Sequence, residues 1–339
     1  MAKSIKVIIK DNDRKSVFHM GWDLLQLFFK YKSLRALNFY GNNMMYKKNA
    51  GKIFDYLTAE QVKNIHKNYY RKDGEDPILQ NKIVFNEFLR KHHIPTTDAI
   101  GKIEKGCFYR VSSEEPITIQ SKEHLLILLE RLLEGVDSFF VKQIDSQGGA
   151  DVFKLTKNSL YDNSSRIDIG KDYIIERTLV QHKDISAINP KCINTLRVIT
   201  IRKGDNIEIA SAFLRMGIGD AKTDNASSGG IFVGYDLESN KLDDVAYRKV
   251  KYGGESFFSH PNTNFTFKGG KLVFHKETKD ILIRAALLFD RQLIGWDIAY
   301  TPEGPIIIEG NDNPGLDSLQ ISAKGALSIP IYKEIFKGF

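Results

Sequence analysis

The stretch Gly295-Trp296-Asp297-Ile298-Ala299-Tyr300-Thr301-Pro302-Glu303-Gly304-Pro305-Ile306-Ile307-Ile308-Glu309-Gly310-Asn311 constrains this chain most, because it reads as a β-hairpin with carboxylates where a hairpin disfavours them. Pro302-Glu303-Gly304 suits a three-residue loop, with proline at the first corner of a type I turn and glycine at the position needing positive φ. With Thr301 facing Pro305, the register sets Asp297 directly across from Glu309. Two unpaired carboxylates about 5 Å apart repel and weaken the pair, and a divalent cation between them removes the conflict. Asn311, two residues past Glu309, points to the same face. Hard oxygen ligands of this kind suit Mg²⁺, which binds through one or two carboxylates while substrate phosphates complete its octahedron. A solvated edge hairpin is the plainer alternative.

At 339 residues the chain accommodates one large mixed domain or two to three lobes sharing a cleft. Its 27% charged and 42% hydrophobic residues are ordinary globular material, which excludes a disordered chain. The formal charge of +7 fits a Lys-rich surface and equally a protein that handles phosphorylated or acidic substrates. Only Cys107 and Cys192 occur, without CxxC spacing, so neither a disulfide framework nor a zinc site is expected, and a reducing, cytoplasmic location is. The apolar run around Leu24-Leu25-Gln26-Leu27-Phe28-Phe29 is too short to span a bilayer. It reads as a buried helix with a basic outer face; peripheral membrane contact through Lys30, Lys32 and Arg35 is the second reading.

Residues 1–75 form a mostly helical N-terminal region, with Thr58-Ala59-Glu60-Gln61 as a capping box. Asp73-Gly74-Glu75-Asp76-Pro77 is a turn-rich break. Residues 76–180 and 181–339 then make two further regions. A helix runs through Lys82–Arg90 and stops before Ile94-Pro95, and another follows Ser121 with Leu125, Leu128, Leu129 and Leu132 on its apolar face. From Phe139 the pattern turns to strands, with hairpin signals at Lys203-Gly204-Asp205-Asn206 and Glu238-Ser239-Asn240 and a helix over about 279–288. Strands interleaved with separate helices favour an α+β arrangement.

Several residues carry possible chemistry. Lys142 lies in an apolar strand just before Asp145-Ser146-Gln147-Gly148-Gly149-Ala150, where a lysine can meet a phosphate while glycines let backbone N–H groups approach it. A surface strand lysine beside a loop gives the same pattern. Glu176-Arg177-Thr178-Leu179 ends an apolar strand, which suits a hinge bonding an adenine edge or an ordinary strand end with a solvated glutamate. His182 and Asp184 are candidates for ribose contact. Arg197, between Leu196 and Val198, points away from their face, and Arg215 stands in a similar place before Met216-Gly217. Either guanidinium can clamp phosphate or carboxylate oxygens. Asp224-Asn225-Ala226-Ser227-Ser228-Gly229-Gly230 lies against a ligand or simply turns.

In this order, the strand lysine with its glycine loop, the hinge glutamate, and Asp…Glu-x-Asn resemble the ATP-grasp superfamily. Gly295-Trp296-Asp297, Glu309-Gly310-Asn311 and Asn313-Pro314-Gly315-Leu316-Asp317-Ser318 are similar to the metal-binding end of D-alanine ligase-type enzymes. Asn194-Thr195-Leu196-Arg197, Asp224-Asn225 and Gly229-Gly230 bring the chain nearer the sugar-transfer associated ATP-grasp group. The resemblance covers about residues 78–325 and implies an α+β ATP-grasp fold with the nucleotide held between two β-containing lobes. It further implies Lys142 and Lys82 on ATP phosphates, Gly148 and Gly149 over them, and Glu176, Arg177 and Leu179 at the adenine hinge. His182 and Asn225 join the nucleotide site, and Asp297, Glu309 and Asn311 hold Mg²⁺. The D-alanine ligase-like pattern has an arginine two residues before the first metal carboxylate; here Gly295 stands there, leaving Arg197 or Arg215 to supply that charge. The implied reaction is an ATP-dependent carboxylate–amine ligation through an acylphosphate, joining a small acid to an amine or sugar-linked acceptor of a cell-surface precursor. A kinase acting on a hydroxyl and a glycan- or nucleotide-binding protein without turnover are the alternatives. Nucleic acid is excluded as partner because the aromatics do not interleave with a basic stripe.

Overall fold

A computed structural model of the chain describes residues 2–33, 35–65, 67, 76–111, 115–144, 152–221 and 223–336. Its first third holds helices α1 (Ala2–Lys10), α2 (Val17–Tyr31), α3 (Ala36–Asn42), α4 (Ala59–Ile65), α5 (Pro77–Gln80) and α6 (Lys82–Lys91). Strands β1 (Ala99–Glu104), β2 (Cys107–Arg110) and β3 (Ile117–Thr118), helix α7 (Lys122–Leu133), strands β4 (Ser138–Gln143) and β5 (Val152–Thr156), helix α8 (Leu160–Ser164) and strand β6 (Tyr173–Arg177) follow. After α9 (Lys183–Ile188) come β7 (Thr195–Lys203), β8 (Asn206–Met216), β9 (Ile231–Asp236), β10 (Lys241–Arg248) and β11 (Ser256–Phe257). The chain ends with α10 (His275–Leu287), β12 (Leu293–Thr301), β13 (Gly304–Asn311), α11 (Asp317–Ser322) and α12 (Pro330–Ile335).

Local chemistry explains many of these bounds. Thr58 and Gln61 cap each other's backbone N–H groups, at 3.2 and 3.0 Å, and so start α4. Asp76 accepts from the N–H groups of Ile78 and Leu79 ahead of Pro77, and Asn81 does the same for α6. The rest of the turn-rich break, residues 73–75, lies outside the described residues. Gly304 takes the positive φ expected of it, 138°. The β12–β13 loop is nevertheless shorter than the sequence predicts: only Pro302 and Glu303 lie between the strands, and Thr301 Oγ1 bridges the turn by donating to the Gly304 carbonyl at 3.0 Å.

The chain divides into two units, one of Met1–Gly74, Gln181–Pro305 and Asn311–Phe339, the other of Glu75–Val180 and Ile306–Gly310. The antiparallel sheet of the first unit runs β11-β10-β9-β8-β7-β12, with β13 following in the strand order. On one face Leu27, Tyr40, Met45 and Tyr46 of the N-terminal region share a core with Ile199, Phe213 and Phe232 of the strands and with Leu319 and Tyr332 near the C-terminus. The sequence treats residues 1–75 as a region of their own; structurally the buried side chains between Ile8 and Ile65 belong to this core. Helix α10 lies against β7, β8 and β12, where Phe289 meets the fully buried Trp296 edge to face at 5.8 Å. Helix α10 starts at His275, earlier than its composition suggests; no side chain caps it, and Phe274 turns the backbone into it with φ 55°.

The second unit carries a six-stranded sheet in the order β3-β2-β1-β6-β4-β5. Helix α7 buries Leu125, Leu128, Leu129, Leu132 and Leu133 with Phe139, Val141 and Ile175. Strands β1 to β3 precede the point at which the sequence shows strands, and Lys105 and Gly106, with φ of 50° and 75°, form the turn between β1 and β2. Ile307 runs parallel to Thr96 and donates its N–H to the Pro95 carbonyl at 2.9 Å.

Candidate active site

Two polar clusters emerge, one in each unit. In the first, strand alternation puts Thr195 and Arg197 of β7 on one face, and the neighbouring strands answer them in register. Arg215 of β8 stands opposite Thr195, and Asp297 of β12 opposite Arg197. Arg197 Nε donates to Asp297 Oδ1 at 2.5 Å and its Nη2 to Oδ2 at 3.1 Å, a two-pronged pairing. Arg215 Nη2 reaches the same Oδ2 at 2.9 Å, and Arg215 Nε donates to Thr195 Oγ1 at 3.0 Å. The Thr195 hydroxyl in turn donates to Asp224, whose Oδ2 also accepts the Thr195 N–H at 2.9 Å and lies 3.6 Å from Arg215 Nε.

Both carboxylates are buried and the two guanidiniums nearly so, so their charges act at reduced dielectric. Burial alone would raise the Asp297 carboxyl, but the guanidiniums of Arg197 and Arg215 hold it below the usual carboxylate range. Asp224 moves the other way: burial dominates, Arg215 and Thr195 offset it in part, and the Asp297 charge adds to the rise. Asp297 is therefore not the unpaired carboxylate that the hairpin argument assumed. Its counter-charge comes from β7 and β8.

Below this cluster the polar residues of Asn194-Thr195-Leu196-Arg197 fix the start of β7. The Asn194 N–H donates to Gln181 Oε1 at 2.6 Å and its amide to the Asn189 carbonyl at 2.7 Å, while the Asn189 amide donates to the Gly217 carbonyl at 3.1 Å. Asn225 Oδ1 accepts the Ser227 N–H at 2.8 Å, closing the turn that follows Asp224. Gly230 is required there, since a Cβ would stand 2.6 Å from the Asp224 carbonyl oxygen. His182 caps α9 by accepting the Asp184 N–H at 3.2 Å, with its ring edge-on to Phe274.

Gly295 has no room for the arginine that the D-alanine ligase-like pattern places there. A Cβ on it would stand 2.6 Å from Pro314 Cβ and 3.5 Å from Arg197 Nη1. The Arg197 guanidinium thus borders the place from which the absent side chain would spring.

In the second unit Lys142 of β4 and Glu176 of β6 form an ion pair, and Glu176 Oε1 also accepts the hydroxyl of Thr97. Asn86 supports Thr97 through bonds to its carbonyl at 2.8 Å and its Oγ1 at 2.9 Å. Glu176 is only 6% exposed, so the expectation of a solvated strand-end glutamate fails: β4 supplies a lysine diagonally across the ladder. Lys82 Nζ donates to the carbonyls of Gln143 and Ile144 at 3.3 and 3.1 Å, which brings it to the same end of β4 as Lys142. Gly148 and Gly149 lie outside the described residues. Arg177 is exposed and pairs with Asp98 at 2.9 Å, whose other oxygen takes Arg90 at 2.6 Å. Leu179 is half-buried beyond the strand end.

Asp297 and Asn311 belong to the first unit and Glu309 to the second. No group of three His, Cys, Asp or Glu side chains suited to a metal occurs among the described residues. Asp297, Glu309 and Asn311 each carry a hard oxygen, the ligand type that Mg²⁺ prefers. Sequence reasoning missed Thr97 and Asn86, which nothing local marks because their partners are distant in the chain, and it quoted Thr195 within its motif without seeing its bonds to Arg215 and Asp224.

Two antiparallel sheets with separate helices give an α+β architecture, the arrangement expected of an ATP-grasp chain, and the family match accounts for it. The sequence pattern of the sugar-transfer associated ATP-grasp family matches residues 61–331, and the chain belongs to that family. No protein of curated function matches it. Among solved structures, D-alanyl-alanine synthetase A from Vibrio cholerae is similar at 13% identity and a TM-score of 0.43, over 76% of this chain and 64% of that one. The D-cycloserine synthetase DcsG is similar at 12% identity and a TM-score of 0.44, over 77% and 70%. N5-carboxyaminoimidazole synthase from Aspergillus clavatus shares 13% identity and a TM-score of 0.40, and of its length this chain spans 44%.

Proposed function

We infer that the protein is an ATP-dependent carboxylate–amine ligase, and the observation that carries this reading is the buried Arg197–Asp297–Arg215 cluster within the family-matched region. Two guanidiniums held rigid by one carboxylate form a preorganised cationic surface, which suits charge developing on a transferring phosphoryl group. In the proposed reaction a carboxylate oxygen of the acid attacks the γ-phosphorus, the bond to the β,γ-bridging oxygen breaks, and ADP leaves. An amine then attacks the acyl carbon, inorganic phosphate departs with the acyl oxygen, and the amine loses a proton to solvent. Arg197 stabilises the phosphoryl oxygens, Arg215 orients the acid, and Lys142, Lys82, Gly148 and Gly149 bind the ATP phosphates. Glu176, Arg177 and Leu179 receive the adenine, with His182 and Asn225 nearby along the nucleotide.

Asp297, Glu309 and Asn311 would hold Mg²⁺, which when bound neutralises phosphate charge. The family's association with sugar transfer supports an acceptor that is an amine or sugar-linked precursor of a cell-surface polysaccharide, and the two free cysteines support work in the reducing cytoplasm. The test is product analysis with ATP, Mg²⁺ and a pool of small acids. ADP release with hydroxamate trapped by hydroxylamine is the expected result, and Arg197→Lys, which keeps the charge but loses the planar fork, lowers its rate about a hundredfold or more. A stable phosphorylated alcohol would identify a kinase, and ATP binding without ADP release a protein that only binds.

A further inference from the structure

Helix α2 is apolar on two faces, and only one of them is buried. Leu27 is fully buried, and Met20, Leu24 and Tyr31 pack beside it against the core of the first unit. The other face carries Phe18, Trp22, Leu25 and Phe29 at helical spacing, exposed to 93%, 60%, 44% and 68%. From the sequence the run around residues 24–29, Leu25 and Phe29 included, is expected to be inside. The core has no room for a second face because Asp23, held by Lys15 and by the Tyr40 hydroxyl, fixes the rotation of the helix.

The exposed charges on α2 itself are of one sign. The exposed ionisable side chains of α2 and its C-terminal cap are His19, Lys30 and Lys32, and Arg35 follows; the only acid of the helix, Asp23, is buried and paired. Lys30 Nζ also sits 4.3 Å above the ring of Phe54, itself part-exposed, which extends the apolar surface beside the cations. An open aromatic stripe with lysines and arginine at one end matches the hydrocarbon boundary and anionic headgroups of a bilayer surface. A second copy of the chain fits worse, since α2 presents no exposed acid to answer the cations of another α2, whereas anionic headgroups do. Among the described residues no helix is long and apolar enough to cross a membrane, so any contact through α2 is with the surface.

We propose that α2 docks the protein on an acidic phospholipid surface, with Phe18, Trp22, Leu25 and Phe29 entering the interface and Lys30, Lys32 and Arg35 meeting the headgroups. The chain has two tryptophans, and Trp296 is fully buried, so a lipid-induced change in emission reports on Trp22. The full-length protein is mixed with vesicles of phosphatidylcholine alone or of phosphatidylcholine with phosphatidylglycerol, and fluorescence and co-sedimentation are read. The mixed vesicles should pellet the protein, shift the emission to the blue and protect it from acrylamide; pure phosphatidylcholine should do so far less. Each cation of the three changed to glutamine should weaken partitioning about fivefold. The double variant Phe18→Ser, Trp22→Ser should abolish sedimentation, with far-ultraviolet circular dichroism unchanged because both side chains are exposed. Absence of a blue shift on acidic vesicles overturns the proposal, as does equal binding to both vesicle types. Concentration-dependent dimerisation that Phe18→Ser removes, without vesicle binding, assigns the face to a second copy instead.

Discussion

Asp297 and Asp224 share Arg215 yet titrate in opposite directions, and the difference can be measured. The folded pKa of Asp297 is depressed, so its contribution to stability is complete above the unfolded carboxylate value, about 3.9, and is lost as pH falls through the lower folded value. Asp224 is raised, so its contribution is complete below about 3.9 and is lost as pH rises through the higher folded value. At neutral pH, Asp297→Asn leaves two buried guanidiniums short of a counter-charge and should cost about 3–5 kcal/mol in urea unfolding. Asp224→Asn keeps an oxygen for the Thr195 donors and sheds a buried charge, so it should cost under about 1 kcal/mol. The penalty of Asp297→Asn should shrink toward zero as the wild-type carboxyl protonates in acid. Equal penalties for the two variants at neutral pH would show that burial does not separate them. The sequence marks Asp297 through its own hairpin but hides its partners, since which residue of β7 faces β12 depends on a register set across the intervening chain. The same distance conceals Thr97 beneath Glu176.

At the scale of elements, legibility follows local turn chemistry. Gly204 and Asn240 announce their hairpins, and both have positive φ, 59° and 52°. The β1–β2 turn needs the same geometry at two successive residues but has lysine at the first, so Lys105-Gly106 gives only half of the Asn-Gly signal, and three short strands disappear with it. This makes a paired prediction. Gly106→Ala meets no atom within 4 Å, so its cost, about 1 kcal/mol, comes from the left-handed backbone alone. Lys105→Asn should raise stability by a few tenths of a kcal/mol, because the Lys105 contact with Asp172 uses the backbone N–H and survives. Urea midpoints followed by circular dichroism check both, and a neutral Gly106→Ala would mean that the turn tolerates a side chain. Helix α10 illustrates the converse, a well-formed helix whose start is unmarked because no polar cap precedes it.

For the whole molecule, the notable feature is how the two units share the chain. Among the described residues, the buried side chains of the main apolar core of the second unit lie between Ile103 and Ile175, with Ile100 packed against them, so a fragment of residues 76–180 should unfold cooperatively by itself. Hydrogen exchange should find its protection equal to that in the full chain except around residues 95–97, which lose Ile307. Uniformly unprotected amides in the fragment would show that the distant strand is needed for the whole sheet. Composition along the chain reveals breaks but not which stretches rejoin, and so the place of the N-terminal helices was not legible. Their placement sets an order of events during synthesis. Ile8, Leu27, Tyr40 and Tyr46 leave the ribosome well before the residues that cover them, which extend to Phe336. At roughly 5–20 residues per second, these side chains wait some tens of seconds without their partners while the second unit closes. The N-terminal helices are therefore the part of the nascent chain most in need of a chaperone.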